Sequence, residues 1–378
     1  MKRHILLIGC LFTLLSHRAA AEKAPKVVQA GVDDILRRYS MPGGVAAIVE
    51  NGKLSLKVAS GVRKQGDAAA FTINDKVHIG SCTKAMTATL VGILIDEGKL
   101  TWDTKITDVF PEFAEQLHED YRPVTISQLL SHYGGVPANV AWRDLGESES
   151  LQHQRMNMMR QVFFQKPHHA PGKTYLYSNV GFVAAGAMLE KITGETWEDL
   201  ISKHLFEPLD IKTAGFGPPS THGANDQPWG HVIKDAQQSP LQIDNAPVLG
   251  PAGTVHMTVE DWARFASLHL GTLKQKKSLL KQETLAHLQT PLHQFDPQIV
   301  PEANPYGFGW ISTERPWGAG KVLTHTGSNT TWFATIWMAP NKNAAFIAVV
   351  NSGAPDAGKA CDEMAAGMIR YWSEKSRR

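Results

Sequence analysis

The apolar positions of this chain change period from one segment to the next. Residues 27–39 repeat at helical spacing and stop at Met41-Pro42-Gly43-Gly44, where proline and paired glycines end a helix. Two β-rich runs follow, 45–50 and 53–60, the second alternating through Leu54, Leu56 and Val58. Asn51-Gly52 between them accepts positive φ at both positions, which predicts a tight hairpin. The far end repeats this arrangement in reverse. Residues 331–338 and 344–350 are β-branched and aromatic runs joined by Pro340-Asn341-Lys342-Asn343. Residues 356–372 then set Cys361, Met364, Ala365, Met368 and Trp372 at helical spacing. Helix–hairpin at one end and hairpin–helix at the other predict one antiparallel sheet built from both termini and flanked by helices. The middle is mostly helical and turn-rich, which predicts an inserted helical subdomain. The fold class is therefore α/β (α+β), with a sheet part at about 22–80 and 241–378, a helical part at about 81–240, and a site between them.

The N-terminus has a separate pattern. Lys2, Arg3 and His4 precede an apolar stretch at 5–15, and Ala19-Ala20-Ala21 precedes Glu22. A basic start, a short apolar centre and an Ala-x-Ala site predict a secretory signal peptide over 1–21, with one domain over 22–378 and an exported, periplasmic or secreted protein. The apolar stretch is shorter than the roughly 20 residues that span a bilayer, and no transmembrane span is expected in the mature chain. Leu7-Ile8-Gly9-Cys10 is also similar to a lipobox, but the apolar run continues past Cys10 to Leu15, so lipid anchoring is the lesser alternative.

Composition narrows the function by exclusion. A formal net charge of +2 gives no electrostatic footprint for nucleic acid. Beyond the leader the cysteines are Cys82 and Cys361, which imply neither a disulfide framework nor a metal-ligand pair. No His-Glu-x-x-His occurs, and His168-His169 reads as a loop pair, so neither metal nor cofactor is expected. A Gly-x-Ser-x-Gly elbow is absent, which argues against an α/β-hydrolase. The expected partner is a small-molecule or peptide substrate. The sequence sets no oligomeric state.

Three short motifs can carry chemistry. Ile79-Gly80-Ser81-Cys82-Thr83-Lys84 opens a helical run to about Glu97, and positions three apart share a helix face, so Lys84 can reach the Ser81 hydroxyl. A serine needs a neighbouring base at neutral pH, and a lysine serves once burial lowers its pKa. Backbone N–H groups at the helix start can stabilise an oxyanion. Tyr175-Leu176-Tyr177-Ser178-Asn179 supplies a phenol that a nearby ammonium would favour as phenolate, and an amide for a substrate. Leu323-Thr324-His325-Thr326-Gly327-Ser328 is an extended segment suited to binding substrate as an added strand, with His325 and Thr326 available to a carboxylate and the Ser328 N–H to an oxyanion. Each motif has an ordinary reading too: a capping serine with a surface lysine, a tyrosine covering the core, and a turn leading into a strand. Trp332 is either a wall of the site or core packing.

The order and spacing of the three motifs resemble the penicillin-recognising serine hydrolases: class C β-lactamases, D-alanyl-D-alanine carboxypeptidases and related esterases. The resemblance extends to IGSCTKAMTATLVGILIDEGKL at 79–100, LLSHYGGVP at 129–137, PGKTYLYSNVGFVAAG at 171–186, GPAGTVHMTVEDWARF at 250–265 and YGFGW at 306–310. It implies Ser81 as nucleophile, Lys84 as base and Tyr177 as second acid/base residue. It further implies Asn179 at the substrate amide, Asn139 as a substrate-binding residue where class C enzymes carry a side-chain amide, Thr326 and Gly327 on the substrate-binding strand, and Ser328 as second oxyanion donor. The implied reaction is hydrolysis of an amide or ester (D-amino-acid peptide, ester or β-lactam) through an acyl-enzyme. A protein of this fold can also act as a penicillin-binding sensor or interaction module, acylated without turnover. His325 stands where most β-lactamases have lysine and favours a peptidase or esterase. Near its reference pKa of about 6.5 it would be partly charged, and its attraction for a carboxylate would weaken as pH rises.

Overall fold

A computed structural model describes residues 25–146, 149–273, 278–295 and 305–376; the signal-peptide pattern and Cys10 lie outside the described residues. The first helix, α1 (Lys26–Arg38), leads into β1 (Gly43–Glu50) and β2 (Lys53–Gly61). Asn51 and Gly52 both take positive φ, 52° and 75°, as a two-residue hairpin turn requires. A three-residue strand, β3 (Lys76–His78), precedes a 3-10 turn at Gly80–Cys82 that runs directly into α2 (Thr83–Asp96). The helical region follows with α3 (Ile106–Val109), α4 (Ile126–Leu130), α5 (Leu151–Phe163), α6 (Asn179–Thr193) and α7 (Trp197–Ile201).

The return to the sheet is more mixed than the hydrophobic pattern predicts. Before residue 241 lie β4 (Gly215–Phe216) and a hairpin of β5 (Gly230–Lys234) and β6 (Gln237–Leu241). After it come α8 (Gly250–Gly253), β7 (Val255–Thr258), α9 (Val259–His269) and α10 (Gln282–Leu288). The chain closes with β8 (Ile311–Arg315), β9 (Gly320–Ser328), β10 (Phe333–Ala339), β11 (Ala344–Val350) and α11 (Ala357–Lys375).

The central antiparallel sheet has the order β2-β1-β11-β10-β9-β8, so strands from the two ends of the chain pair at its middle. Both faces of β1 and β11 are buried, which is why each reads as a continuous apolar run instead of an alternating one. Their alternate residues serve two cores. Ala46, Ile48, Phe346 and Ala348 face α1 and α11, whereas Val45, Ala47, Ile347 and Val349 face the helical region. The second core contains α2, whose residues from Thr83 to Leu94 are all buried. A helix apolar on every side can only sit inside such a core. Trp332 is 1% exposed and packs edge-on against Phe71, which settles it as core. Among the described residues, no helix is long and apolar enough to cross a membrane.

Candidate active site

The site lies where the start of α2 meets β9 and the start of α6. Gly80 and Gly327 make that meeting possible. A Cβ on Gly327 would overlap Ile79 O and stand 2.7 Å from Ser81 N; a Cβ on Gly80 would overlap Ser328 N. Gly80 also has a positive φ of 51°. Two backbones therefore touch without side chains between them, which brings the N–H groups of Ser81 and Ser328 into one neighbourhood. Pairing of β9 with β8 ends at Thr324 opposite Ile311, while pairing with β10 continues to Ser328. On the β8 side, residues 325–328 thus extend past the partner strand. Thr326 and Ser328 are exposed on this stretch, and His325 and Gly327 are buried.

Ser81 lies between two side chains. Lys84 Nζ is 3.2 Å from Ser81 Oγ, 2.6 Å from Asn179 Oδ1 and 2.8 Å from Ala252 O. Burial lowers the Lys84 pKa from 10.5 to about 7. A neutral amine can donate to Asn179 and Ala252 and keep its lone pair for the Ser81 hydroxyl. Tyr177 lies close enough to Ser81 for the serine side chain to draw the phenol pKa down, an effect that burial outweighs. Its ring centroid is 4.9 Å from Lys84 Nζ.

The phenolate expected from the sequence is corrected here. Burial dominates and holds the Tyr177 phenol above its ordinary 10, so it is a proton donor at neutral pH. The lysine whose ammonium was to favour the phenolate is itself brought down towards neutrality by the same burial.

Tyr177 and Asn179 are aimed by the residue between them. Ser178 caps α6 by accepting the Gly181 N–H at 3.1 Å, and it donates to Pro137 O at 2.6 Å. Its own N–H donates to His132 Nδ1 at 3.0 Å, and the Asn179 N–H donates to Ala138 O at 2.9 Å. The His132 ring packs at a tilt against Tyr177, with centroids 4.3 Å apart, and against Tyr306 at 4.4 Å. Asn179 Nδ2 donates to Asn139 Oδ1 at 2.8 Å, and Trp142 Nε1 donates to the same oxygen at 3.2 Å. Asn139 itself is exposed, so the Asn139–Asn179 pair spans from surface to buried lysine. His132 and Tyr306 both fall in segments that carry the family resemblance. An aromatic beside a glycine-rich turn was the signal available for them, and it assigned no role.

His325 requires a second correction. It is 3% exposed, on the opposite face of β9 from Thr326. Its Nδ1–H donates to Thr326 O at 2.6 Å, and its Nε2 accepts from the Tyr306 hydroxyl at 3.0 Å. Burial first, then the nearby Lys84 charge, lowers its pKa to about 3. The ring is neutral throughout the physiological range, with both nitrogens satisfied. It therefore offers no charge to a substrate carboxylate, and the expected fading of that attraction above pH 7 has no titrating group behind it. Cys82, next to the serine, is a buried free thiol whose Sγ lies 3.6 Å from His325 O. His168 and His169 are exposed, and no His/Cys/Asp/Glu cluster suited to a metal occurs among the described residues.

Comparison with known proteins identifies the family. The Beta-lactamase family profile matches residues 25–366. The chain is 27% identical over 335 residues to penicillin-binding protein 4 of Amycolatopsis lactamdurans, across 86% of this chain and 84% of that protein. It is 23% identical over 325 residues to protein flp of Staphylococcus aureus strain MW2, spanning 61% of that protein's length. In fold it is similar to the octameric penicillin-binding protein homologue from Pyrococcus abyssi (TM-score 0.73, 22% identity, 91% of this chain and 77% of that one). It is also similar to a class C β-lactamase from Rhodobacter sphaeroides (TM-score 0.71, 18% identity, 92% of this chain and 99% of that one). With the family profile covering nearly all the described chain, this protein belongs to the Beta-lactamase family of serine hydrolases, which act on amides, esters or β-lactams.

Proposed function

We propose that this protein hydrolyses an ester or amide through an acyl-enzyme on Ser81, and that its preferred substrate needs no carboxylate beside the scissile bond. The observation that carries the reading is Lys84 Nζ, 3.2 Å from Ser81 Oγ, with its pKa brought down by burial to about 7. In acylation, Lys84 takes the Ser81 proton as Oγ bonds to the substrate carbonyl carbon. The oxyanion is received by the N–H groups of Ser81 and Ser328. Tyr177 gives its proton to the leaving oxygen or nitrogen as that bond breaks. In deacylation, water attacks the acyl carbon and its proton passes to the Tyr177 phenolate. The Lys84 ammonium then returns its proton to Ser81 Oγ, and the site is restored. Asn179 holds Lys84 in place, while Thr326 and the edge of β9 lie alongside the substrate.

The neutral, enclosed His325 supports the substrate preference, because the usual cation of the third motif is missing from the cleft. The test is turnover of an uncharged p-nitrophenyl ester, a chromogenic cephalosporin and a D-alanyl-D-alanine peptide, with Ser81→Ala alongside. We expect continued release from the ester at a kcat/KM above the other two, and an acyl adduct by mass spectrometry that Ser81→Ala lacks. One equivalent of product followed by silence would support an acylated sensor instead. Full activity in Ser81→Ala would sink the mechanism.

A further inference from the structure

Behind the site, a set of buried side chains links the two stretches that carry the oxyanion donors, and none of them belongs to the three motifs. His78 ends β3 and is 0% exposed. Its Nδ1 accepts the Gly80 N–H at 3.1 Å, so the proton of the neutral ring is on Nε2, which donates to the Asp244 carboxylate at 3.0 Å. Asp244 lies in the loop after β6, far from residue 78 in sequence. Its other contact is the Asn329 amide, whose Nδ2 donates to Asp244 Oδ1 at 2.8 Å. Asn329 is 2% exposed, and its Oδ1 accepts from the Thr331 N–H at 3.2 Å and the Thr331 hydroxyl at 3.1 Å. One carboxylate thus joins the residue before Ser81, through His78, to the residue after Ser328.

We propose that His78, Asp244 and Asn329 are positioning residues that set the separation of the Ser81 and Ser328 N–H donors for the tetrahedral intermediate. The inference rests on the acyl-enzyme reading above. Gly80 and Gly327 permit their backbones to touch but do not fix where they slide. The chain of hydrogen bonds does, because it is anchored one residue from each donor and every polar atom in it is paired. Donors act on an oxyanion only within a narrow range of position, so a displacement well under the length of a hydrogen bond weakens the transition state more than the bound substrate.

The geometry makes the test specific. Asp244 only accepts, from two donors. In Asp244→Asn one of those donors faces an NH2 group, and in Asn329→Asp two carboxylates face each other. The double variant D244N/N329D restores complementarity by exchanging the two groups. The amide now at position 244 accepts from His78 and donates to the carboxylate now at position 329, which still accepts from Thr331. We expect each single variant to lower kcat on the p-nitrophenyl ester by about 10- to 100-fold with KM within about twofold. Affinity for a boronic acid, which forms a tetrahedral adduct on Ser81, should fall in parallel. The double variant should recover most of both.

Single variants with wild-type kcat, a fall in kcat without a fall in boronate affinity, or a double variant no better than the worse single would each overturn the brace. If instead the wild type neither turns over the ester nor binds the boronate, and Ser81→Ala matches it, the acyl-enzyme reading fails and the brace with it.

Discussion

Lys84 combines a reactive site with a folding cost. Its pKa falls from 10.5 to about 7 because the folded chain buries the amine among Asn179, Ala252 and Ser81. Between those values the unfolded chain holds a proton that the folded chain has released. Stability therefore rises with pH across this window, and the cost of the buried charge is fully present below it. Lys84→Met removes the titration. The stability difference between wild type and variant should shift towards wild type by about 1.4 kcal/mol per pH unit across the window, as read by urea unfolding at pH 6, 8 and 10. Acylation by the wild type should climb through about pH 7 as the amine loses its proton. The variant should lose that limb and roughly 10²- to 10⁴-fold in rate.

The same residue marks what a sequence reveals at this scale. Ser-x-x-Lys spacing puts the amine on the serine's face of the helix, and that much is legible. The state of Tyr177 and His325 is not, because burial against Tyr306, and for Tyr177 also against His132, decides it. Those neighbours are distant in sequence, and reference pKa values describe a group in water.

At the scale of elements, the decisive contact is that of β9 with the turn before α2. Gly327→Ala must push apart two backbones, since the new Cβ would stand 2.7 Å from Ser81 N and closer still to Ile79 O. We expect ester turnover to fall by at least about 100-fold, as for a misplaced oxyanion donor. Thermal unfolding should show whether β9 has moved or detached: a small drop in Tm with lost turnover marks a shift of the strand alone.

Elements with strong local signals were legible, above all the β1–β2 hairpin with Asn51-Gly52 at its turn. The β5–β6 hairpin was not. Its turn is built by Asp235 and Ala236, with φ of 51° and 61°, and alanine gives no turn signal. Its strands are mostly polar and partly exposed, so no apolar alternation marks them within the stretch expected to be helical. Conversely, α9 and α10 lie in the stretch assigned to the sheet. The amphipathic α9 supports β1 and β2 from beneath, as an element of the layer covering that face.

For the whole molecule, the brace of the helical region is Arg155. It is 0% exposed and pairs with Glu190 from α6 and with Glu198 from α7, the latter at 2.6 Å. Its Nε also donates to Val248 O at 3.2 Å, on the approach to α8. Removing one member of such a set leaves the others buried without compensation, at a cost of about 3–5 kcal/mol. Arg155→Met should lose stability on that order at pH 8. Burial already raises the Glu190 pKa even with the arginine present. Without it, Glu190 is easier to keep as the neutral acid, so stability should partly return at pH 5. Unfolding by urea at the two pH values checks both statements.

The meeting of β9 with the start of α2 has a consequence for when the protein becomes reactive. Cys82 and His325, in contact across that junction, are 243 positions apart in sequence. On the proposed mechanism, neither half of the chain contains the nucleophile together with its second oxyanion donor. The reactive centre does not form gradually as helices and hairpins form. It exists only after β9 closes on the start of α2, so a chain still being made or still unfolded carries Ser81 as an ordinary alcohol. On the proposed mechanism reactivity is in this sense a property of the finished topology, and acylation of Ser81 would report that the two distant stretches have met.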